Sequence, residues 1–301
     1  MQPFSTGLSP RNCHICNSSK NRLVFHVKDF FLSGESFSIY ECQQCHVRFT
    51  YPQPHQSEIS RYYQSEQYYS HKQGRISIVA LLYGLLRWLS IKGKVRFVKN
   101  YYSKAGKLLD IGFGAGHFLY SMHKSGWNCT GVEPHHESRN VFQSKTGITV
   151  YPQIEEIPTG NHFHLVTLWH VLEHFHDPVQ AVRVIQTLQR EGDYLIIALP
   201  NYLSEDAVYF REYWAAYDVP RHLFHFHPQS IKELLTNNSY HFVSSKGMVM
   251  DVFYISMLSF RYQIKSFALI RAFFLGIKIA LLQRKSAYHS SIVYVFQKNT
   301  D

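Results

Sequence analysis

Four of the five cysteines fall into two Cys-x-x-Cys pairs, Cys13 with Cys16 and Cys42 with Cys45, a spacing suited to metal ligation. Two such knuckles offer four thiolates to one tetrahedral zinc. A site closed by four sulfurs keeps no open position, so it organises the chain and performs no reaction. Further along, Asp110 ends a short apolar run and meets Gly112, Phe113, Gly114 and Gly116. Apolar residues at helical spacing (Phe118, Leu119, Met122) come next, so the stretch reads as strand, tight turn and helix. Glycines in that turn allow positive φ and let a ligand approach without meeting Cβ atoms. A second acid, Glu133, closes the next apolar stretch at about the distance expected of a ribose-binding carboxylate. Histidines and acids crowd together at His170, Glu173, His174, His176 and Asp177, and another histidine-rich run surrounds His222.

The glycine spacing excludes two common nucleotide sites. A dinucleotide fingerprint needs a small residue where His117 stands, and no Lys-Ser or Lys-Thr follows to make a phosphate-cradling loop. What remains, Asp-x-Gly-x-Gly-x-Gly with a following acid, resembles motif I of the class I S-adenosylmethionine-dependent methyltransferases. The resemblance implies that Asp110 faces the amino-acid end of that cofactor. It also implies that Gly112, Phe113, Gly114 and Gly116 cradle it and that Glu133 accepts from both ribose hydroxyls. In the loop Ile154–Pro158, Glu155 is implied as the partner of the adenine amino group.

The string from Leu168 to Pro178 contains Trp-His-Val-Leu-Glu-His, which resembles a segment of one large methyltransferase subgroup. That likeness implies that Trp169 and His170 line the cleft at the methionine end, with Glu173 and His174 behind them. The same cluster has metal-ligand character, because His170 and His174 are four apart and Glu173 and His176 three apart. Pro178 ends the turn early and no residues elsewhere are assigned to complete such a site, so support of the cofactor is the preferred reading.

The run Asp218–Pro228 is most similar to methyltransferases with an N-terminal zinc-binding domain, sugar C-methyltransferases among them. These carry Tyr-x-Glu-His at this place, and His222 matches the histidine, which implies a general base. Val219 and Arg221 replace the tyrosine and the glutamate, so the sugar activity is not carried over. Arg221 is instead free, on this reading, to hold an anionic acceptor. His170 is the second catalytic candidate.

The elements needed to position these residues can be read along the chain. The two cysteine pairs stand 25 residues apart, across a Val/Phe/Ile/Tyr-rich spacer with a loop at Asp29–Glu35, as in a zinc ribbon. Strands are expected at Lys107–Ile111, Asn128–Glu133, Thr149–Tyr151, His164–Trp169 and Asp193–Leu199, with helices between them. A parallel sheet with the ligand at its carboxyl ends follows from that alternation. His241–Gly247 and Ser291–Gln297 add two more strands. The expected fold is therefore α/β, a Rossmann-like doubly wound seven-stranded methyltransferase sheet, preceded by a small zinc ribbon. Residues 1–55 form the ribbon, 56–105 a helical linker or cap, and 106–301 the methyltransferase domain, with a helical insertion at 251–288. Two apolar helices, 76–91 and 266–282, pair together, cover the acceptor site or touch lipid; each carries basic residues and neither spans a bilayer comfortably.

The chain has 301 residues, a net charge of +10 and 19 histidines, a balance that draws anionic partners without naming one. No basic-then-apolar leader pattern opens the sequence, so the expected compartment is the cytoplasm, with contact at a membrane surface as an option. The expected activity is transfer of a methyl group from S-adenosyl-L-methionine to a small-molecule acceptor at oxygen or carbon, glycan- or lipid-linked acceptors included. The rival reading is a nucleic-acid-binding zinc-ribbon protein with a degenerate α/β domain. The intact Asp110, glycines and Glu133 argue against decay, and nucleic acid is not favoured as a partner. The oligomeric state is not legible.

Overall fold

The computed structural model describes residues 10, 12–63, 78–102, 104–263, 270–272, 274–277 and 288–299. The N-terminal segment folds into three antiparallel strands, β1 (Asn21–Lys28), β2 (Ser36–Cys42) and β3 (Arg48–Tyr51). The expected loop between the first two is fastened by Asp29, whose carboxylate accepts from the backbone N–H groups of Phe31, Leu32 and Ser33. Helix α1 (Ile78–Tyr101) begins inside the expected apolar helix 76–91 and runs ten residues beyond its expected end.

Alternation then begins: β4 (Lys107–Ile111), α2 (His117–Lys124), β5 (Asn128–Val132), α3 (His136–Thr146), β6 (Thr149–Tyr151) and β7 (Leu165–Trp169). It continues through α4 (Pro178–Thr187), β8 (Tyr194–Pro200), α5 (Glu205–Phe210), β9 (Phe224–His225), α6 (Pro228–Thr236), β10 (Tyr240–Gly247), α7 (Asp251–Gln263) and β11 (Ser291–Lys298). The seven-stranded sheet has the order β10-β11-β8-β7-β4-β5-β6. Strands β4 to β8 run parallel and β11 lies antiparallel between β8 and β10. Helices cover both faces, which is why β4, β7 and β8 are buried along nearly their whole length and read as unbroken apolar runs. This is the expected doubly wound fold.

Strand order reverses beside β4, since β5 lies on one side of it and β7 on the other. In open α/β sheets such a reversal opens a crevice at the carboxyl ends of the strands, where ligands bind. The two turns leaving β4 and β7 pack directly on each other there. A Cβ on Gly112 would stand 2.5 Å from a Val171 methyl, so only glycine fits at that contact.

A second sheet joins the N-terminal strands to the rest of the molecule. Its order is β1-β2-β3-β9, with Arg48 opposite His225 and Phe49 opposite Phe224. Val47 and Phe49 are buried in the same apolar cluster as Leu109, Leu168 and Leu223. The cysteine-bearing strands are thus hydrogen-bonded and packed onto the segment that follows β8.

Part of the expected linker, residues 64–77, lies outside the described residues, as does most of the expected helix 266–282. Positions 270–272 and 274–277 of the latter are helical. Among the described residues no helix is long and apolar enough to cross a membrane.

Candidate active site

The glycine turn sits at the switch point. Gly112, Gly114 and Gly116 take φ values of 68°, 57° and 73°. Gly112 donates its backbone N–H to the Val132 carbonyl at 2.7 Å, which ties the turn to the end of β5. Just beyond β5, Glu133 turns back. Its Oε2 accepts from the Gly114 N–H at 2.8 Å and its Oε1 from the His135 N–H at 2.9 Å. Each oxygen keeps a lone pair, and the side chain remains half-exposed. A Cβ on Gly114 would meet nothing within 4 Å, so the turn is open on that side. Phe113 faces the other way, packed against Phe142 with ring centroids 4.7 Å apart; it has only its backbone to offer a ligand.

Asp110 lies beneath the turn, fully buried, and accepts from the Thr167 hydroxyl at 2.6 Å. Burial pushes its carboxyl up to about 7, against the pull of the Thr167 hydroxyl and the nearby Lys94 ammonium. Lys94, from α1, holds its ammonium 4.5 Å above the Trp169 ring. Desolvation lowers the pKa of that ammonium, and Asp251 and Asp110 offset part of the effect. Trp169 is half-buried and meets Phe118 edge to face at 5.2 Å.

His170 adopts φ 58° and places Nε2 3.2 Å from Asp251 Oδ2 and Nδ1 3.7 Å from Glu173 Oε1. Burial alone would lower its pKa, but the two carboxylates outweigh that and raise it to about 9. The cleft therefore combines the acids Asp110, Glu133 and Asp251 with an aromatic face. That donor set fits a ligand with a cationic end and a diol. Glu155 lies apart from these residues in sequence, exposed on a short helical turn, Ile154–Glu156. Lys94, Thr167 and Asp251 were not singled out from the sequence. Each sits in a helix or strand whose pattern explains it without a ligand.

The histidine-rich turn after β7 differs from the sequence expectation. Leu172–His174 is one 3-10 turn, and the left-handed His170 points to Asp251, so His170 and His174 do not share a helical face. His176 donates from Nε2 to the Pro54 carbonyl, and Asp177 caps α4 by accepting from the Gln180 N–H. Glu173 and His174 instead meet His222, whose ring lies 4.6 Å from that of His174. The backbone pins the two segments together, since the Leu223 N–H donates to the Glu173 carbonyl at 2.9 Å. From the other side, the Thr50 hydroxyl donates to the His222 carbonyl at 2.6 Å.

Arg221 is not available to an acceptor. Its guanidinium is buried, bonded to Asp29 at 2.8 Å and Asp218 at 2.7 Å, and also donates to the Tyr62 carbonyl. Its position beside His222 suggested an anion site; its side chain turns inward and locks the β1–β2 loop to this segment.

The four cysteines of the knuckles converge. Sulfur separations are 3.6 Å for Cys13–Cys45 and 3.5 Å for Cys16–Cys42, and all four lie within 4.8 Å of one another. Tetrahedral zinc with bonds of about 2.3 Å has sulfur edges of roughly 3.8 Å, so the set fits such an ion. The knuckles share one geometry. Asn17 donates to the Cys13 carbonyl and His46 to the Cys42 carbonyl, both with left-handed φ near 60°. His46 thus occupies a conformation that favours glycine.

Residues 90–245, just over half of the chain, match the family model described as a methyltransferase domain. A curated relative, the ubiquinone biosynthesis O-methyltransferase of Colwellia psychrerythraea, is 28% identical over 103 residues. That match covers 32% of this chain and 42% of the relative, so the chain spans less than half of the relative's length. The 1,6-didemethyltoxoflavin-N1-methyltransferase of Burkholderia thailandensis, solved with S-adenosylhomocysteine bound, superposes with a TM-score of 0.51 at 13% identity. The superposition covers 90% of this chain and 98% of that one. Magnesium protoporphyrin IX methyltransferase of Synechocystis, also with S-adenosylhomocysteine, gives a TM-score of 0.50 at 11% identity over 80% of this chain and 92% of its own. At these identities the likeness is one of fold.

Proposed function

Because this chain belongs to the methyltransferase-domain family, we propose that it transfers a methyl group from S-adenosylmethionine to a small-molecule acceptor, at oxygen or carbon. The observation that carries the reading is the Glu133 carboxylate, fixed by two backbone N–H groups in front of the glycine turn with a lone pair left on each oxygen. A ribose diol is the ligand group such a carboxylate suits. Asp110 would take the cationic end, and Gly114 leaves room for the ligand above the turn. The alternative of a degenerate domain is not favoured, since the glycines, Asp110 and Glu133 are all intact.

When bound, the cofactor supplies an electrophilic methyl on a sulfonium, so the chain's task is to position an acceptor in line with it. His170 and His222 are the groups we assign to the acceptor side. His170 is held by Asp251 and Glu173; His222 is held through Nδ1 by the Ala216 carbonyl, with Nε2 4.0 Å from Asp218 Oδ2. We assign one structural zinc to Cys13, Cys16, Cys42 and Cys45. Lipid- or glycan-linked acceptors remain within this reading, as do cytoplasmic and membrane-surface locations.

The test is transfer of labelled methyl from the cofactor into a fractionated lysate, with identification of the labelled product. His222→Asn should keep S-adenosylhomocysteine binding and lose roughly 100-fold or more of turnover. A variant with near wild-type turnover on the true acceptor would remove His222 from the site, and a protein without affinity for S-adenosylhomocysteine would end the reading.

A further inference from the structure

Glu173, His174 and His222 present one ligand atom each within 4.8 Å of one another. Glu173 is 1% exposed, and neither of its carboxylate oxygens has a hydrogen-bond partner. Its nearest cationic group is His170, at 3.7 Å. The His170 charge offsets part of the cost of burying that carboxylate, and a second cation at its free lone pairs would offset more.

The two histidines are oriented in the same way. His174 Nδ1 lies 2.9 Å from the Arg221 carbonyl, with the Tyr63 hydroxyl also at 3.0 Å, and His222 Nδ1 lies 2.8 Å from the Ala216 carbonyl. A carbonyl can only accept, so both Nδ1 atoms carry a proton, and in the neutral ring that tautomer keeps its lone pair on Nε2. Histidines that ligate metals are held in this manner, with the far nitrogen donating to a backbone carbonyl. Two imidazoles and a carboxylate therefore meet at one place.

We propose that Glu173, His174 and His222 form a second metal centre, separate from the four cysteines, that binds a divalent cation of the zinc or manganese class through two imidazoles and one carboxylate. Such a set leaves at least one coordination position open. The centre stands at the carboxyl end of β7, next to His170, on the side of the cleft assigned to the acceptor. Resting on the methyltransferase reading, it specifies the acceptor as a molecule with a hydroxyl group that can ligate the cation. Coordination makes the hydroxyl proton easier to lose to water. The oxygen lone pair then forms the O–CH3 bond as the S–CH3 bond breaks and its electron pair passes to sulfur, giving a methyl ether and S-adenosylhomocysteine.

Cobalt(II) separates the two centres, because thiolate ligation gives intense sulfur-to-metal charge-transfer bands and an N/O set gives only weak visible bands. The metal-free full chain should bind two cobalt ions, one with and one without thiolate bands. Glu173→Gln and His222→Gln should each lose the second ion while keeping the thiolate bands and S-adenosylhomocysteine affinity. A wild-type chain that saturates at one cobalt, all of it thiolate-bound, overturns the proposal, as do variants that retain both ions. If a variant fails to fold, the wild-type stoichiometry decides alone. Absence of S-adenosylhomocysteine binding with two cobalt ions bound would overturn the methyltransferase reading and leave the metal centre standing.

Discussion

Gly114 donates its backbone N–H to Glu133 Oε2 at 2.8 Å, which clamps the acid at the end of β5 onto the turn that leaves β4. Glu133→Ala should therefore loosen the turn and remove charge-assisted hydrogen bonds worth roughly 1.5–3 kcal/mol each. Calorimetry should show S-adenosylhomocysteine affinity about 10- to 100-fold weaker or more, in a chain that still folds but unfolds at a lower temperature than the parent. Gly114→Val is expected to be worse, because a β-branched side chain opposes φ 57° and fills the open side of the turn. Unchanged affinity in both variants would dismiss the cleft as the cofactor site.

Asp110 makes both stability and binding depend on pH. Its carboxyl is raised from 3.8 to about 7 by burial, so the native state holds a proton that the unfolded chain releases earlier. Stability should accordingly fall as pH rises from about 4 to about 7, by up to roughly 4 kcal/mol from this group alone. Asp110→Asn should flatten that part of the profile in denaturant titrations. An α-ammonium beside Asp110 favours its ionised form, so S-adenosylhomocysteine should bind more tightly as pH rises through the same interval. A flat binding profile would place the ligand's ammonium elsewhere.

The cysteine cluster should hold one zinc per chain, lost on Cys42→Ser. Loss of the ion should unfasten β1 to β3, and with them the Thr50 hydroxyl that holds the His222 backbone. Turnover should fall while S-adenosylhomocysteine binding persists, because the glycine turn belongs to the other sheet. Hydrogen exchange would reveal the pattern directly, with protection lost at residues 21–51 and 222–225 and kept at 107–132.

Arg221→Ala should destabilise the chain by about 3–5 kcal/mol, since it strands the buried Asp29 without its partner. Adding Asp29→Asn to that variant should restore part of the loss. An anion-binding role would instead leave stability intact and weaken acceptor binding, and denaturant titration tells these apart.

The parallel sheet was legible because strands covered on both faces must be apolar throughout, as β4 and β7 are. Asp110, the glycines and Glu133 were legible because one turn and one strand end carry all of them. Local spacing does not disclose side-chain direction. Arg221 follows Pro220 in a run of mixed apolar and polar residues that fixes no direction for its side chain, and the four-residue spacing of His170 and His174 does not show the left-handed backbone that separates them. The meeting of Glu173 and His174 with His222 depends on two turns from opposite sides of β8, a distance that no sequence periodicity spans.

The pairing of β3 with β9 also has a consequence in time. Thr50 and His222 stand 172 residues apart in the chain. At roughly 5–20 residues per second of synthesis, β3 waits on the order of ten seconds or more for the strand that completes its sheet. During that interval its outer edge is an open template for another nascent copy, and Arg48 is the charged edge residue that discourages the wrong pairing. The yield of folded protein should depend on how well that edge is shielded during translation. A chaperone that holds the emerging chain should therefore raise it.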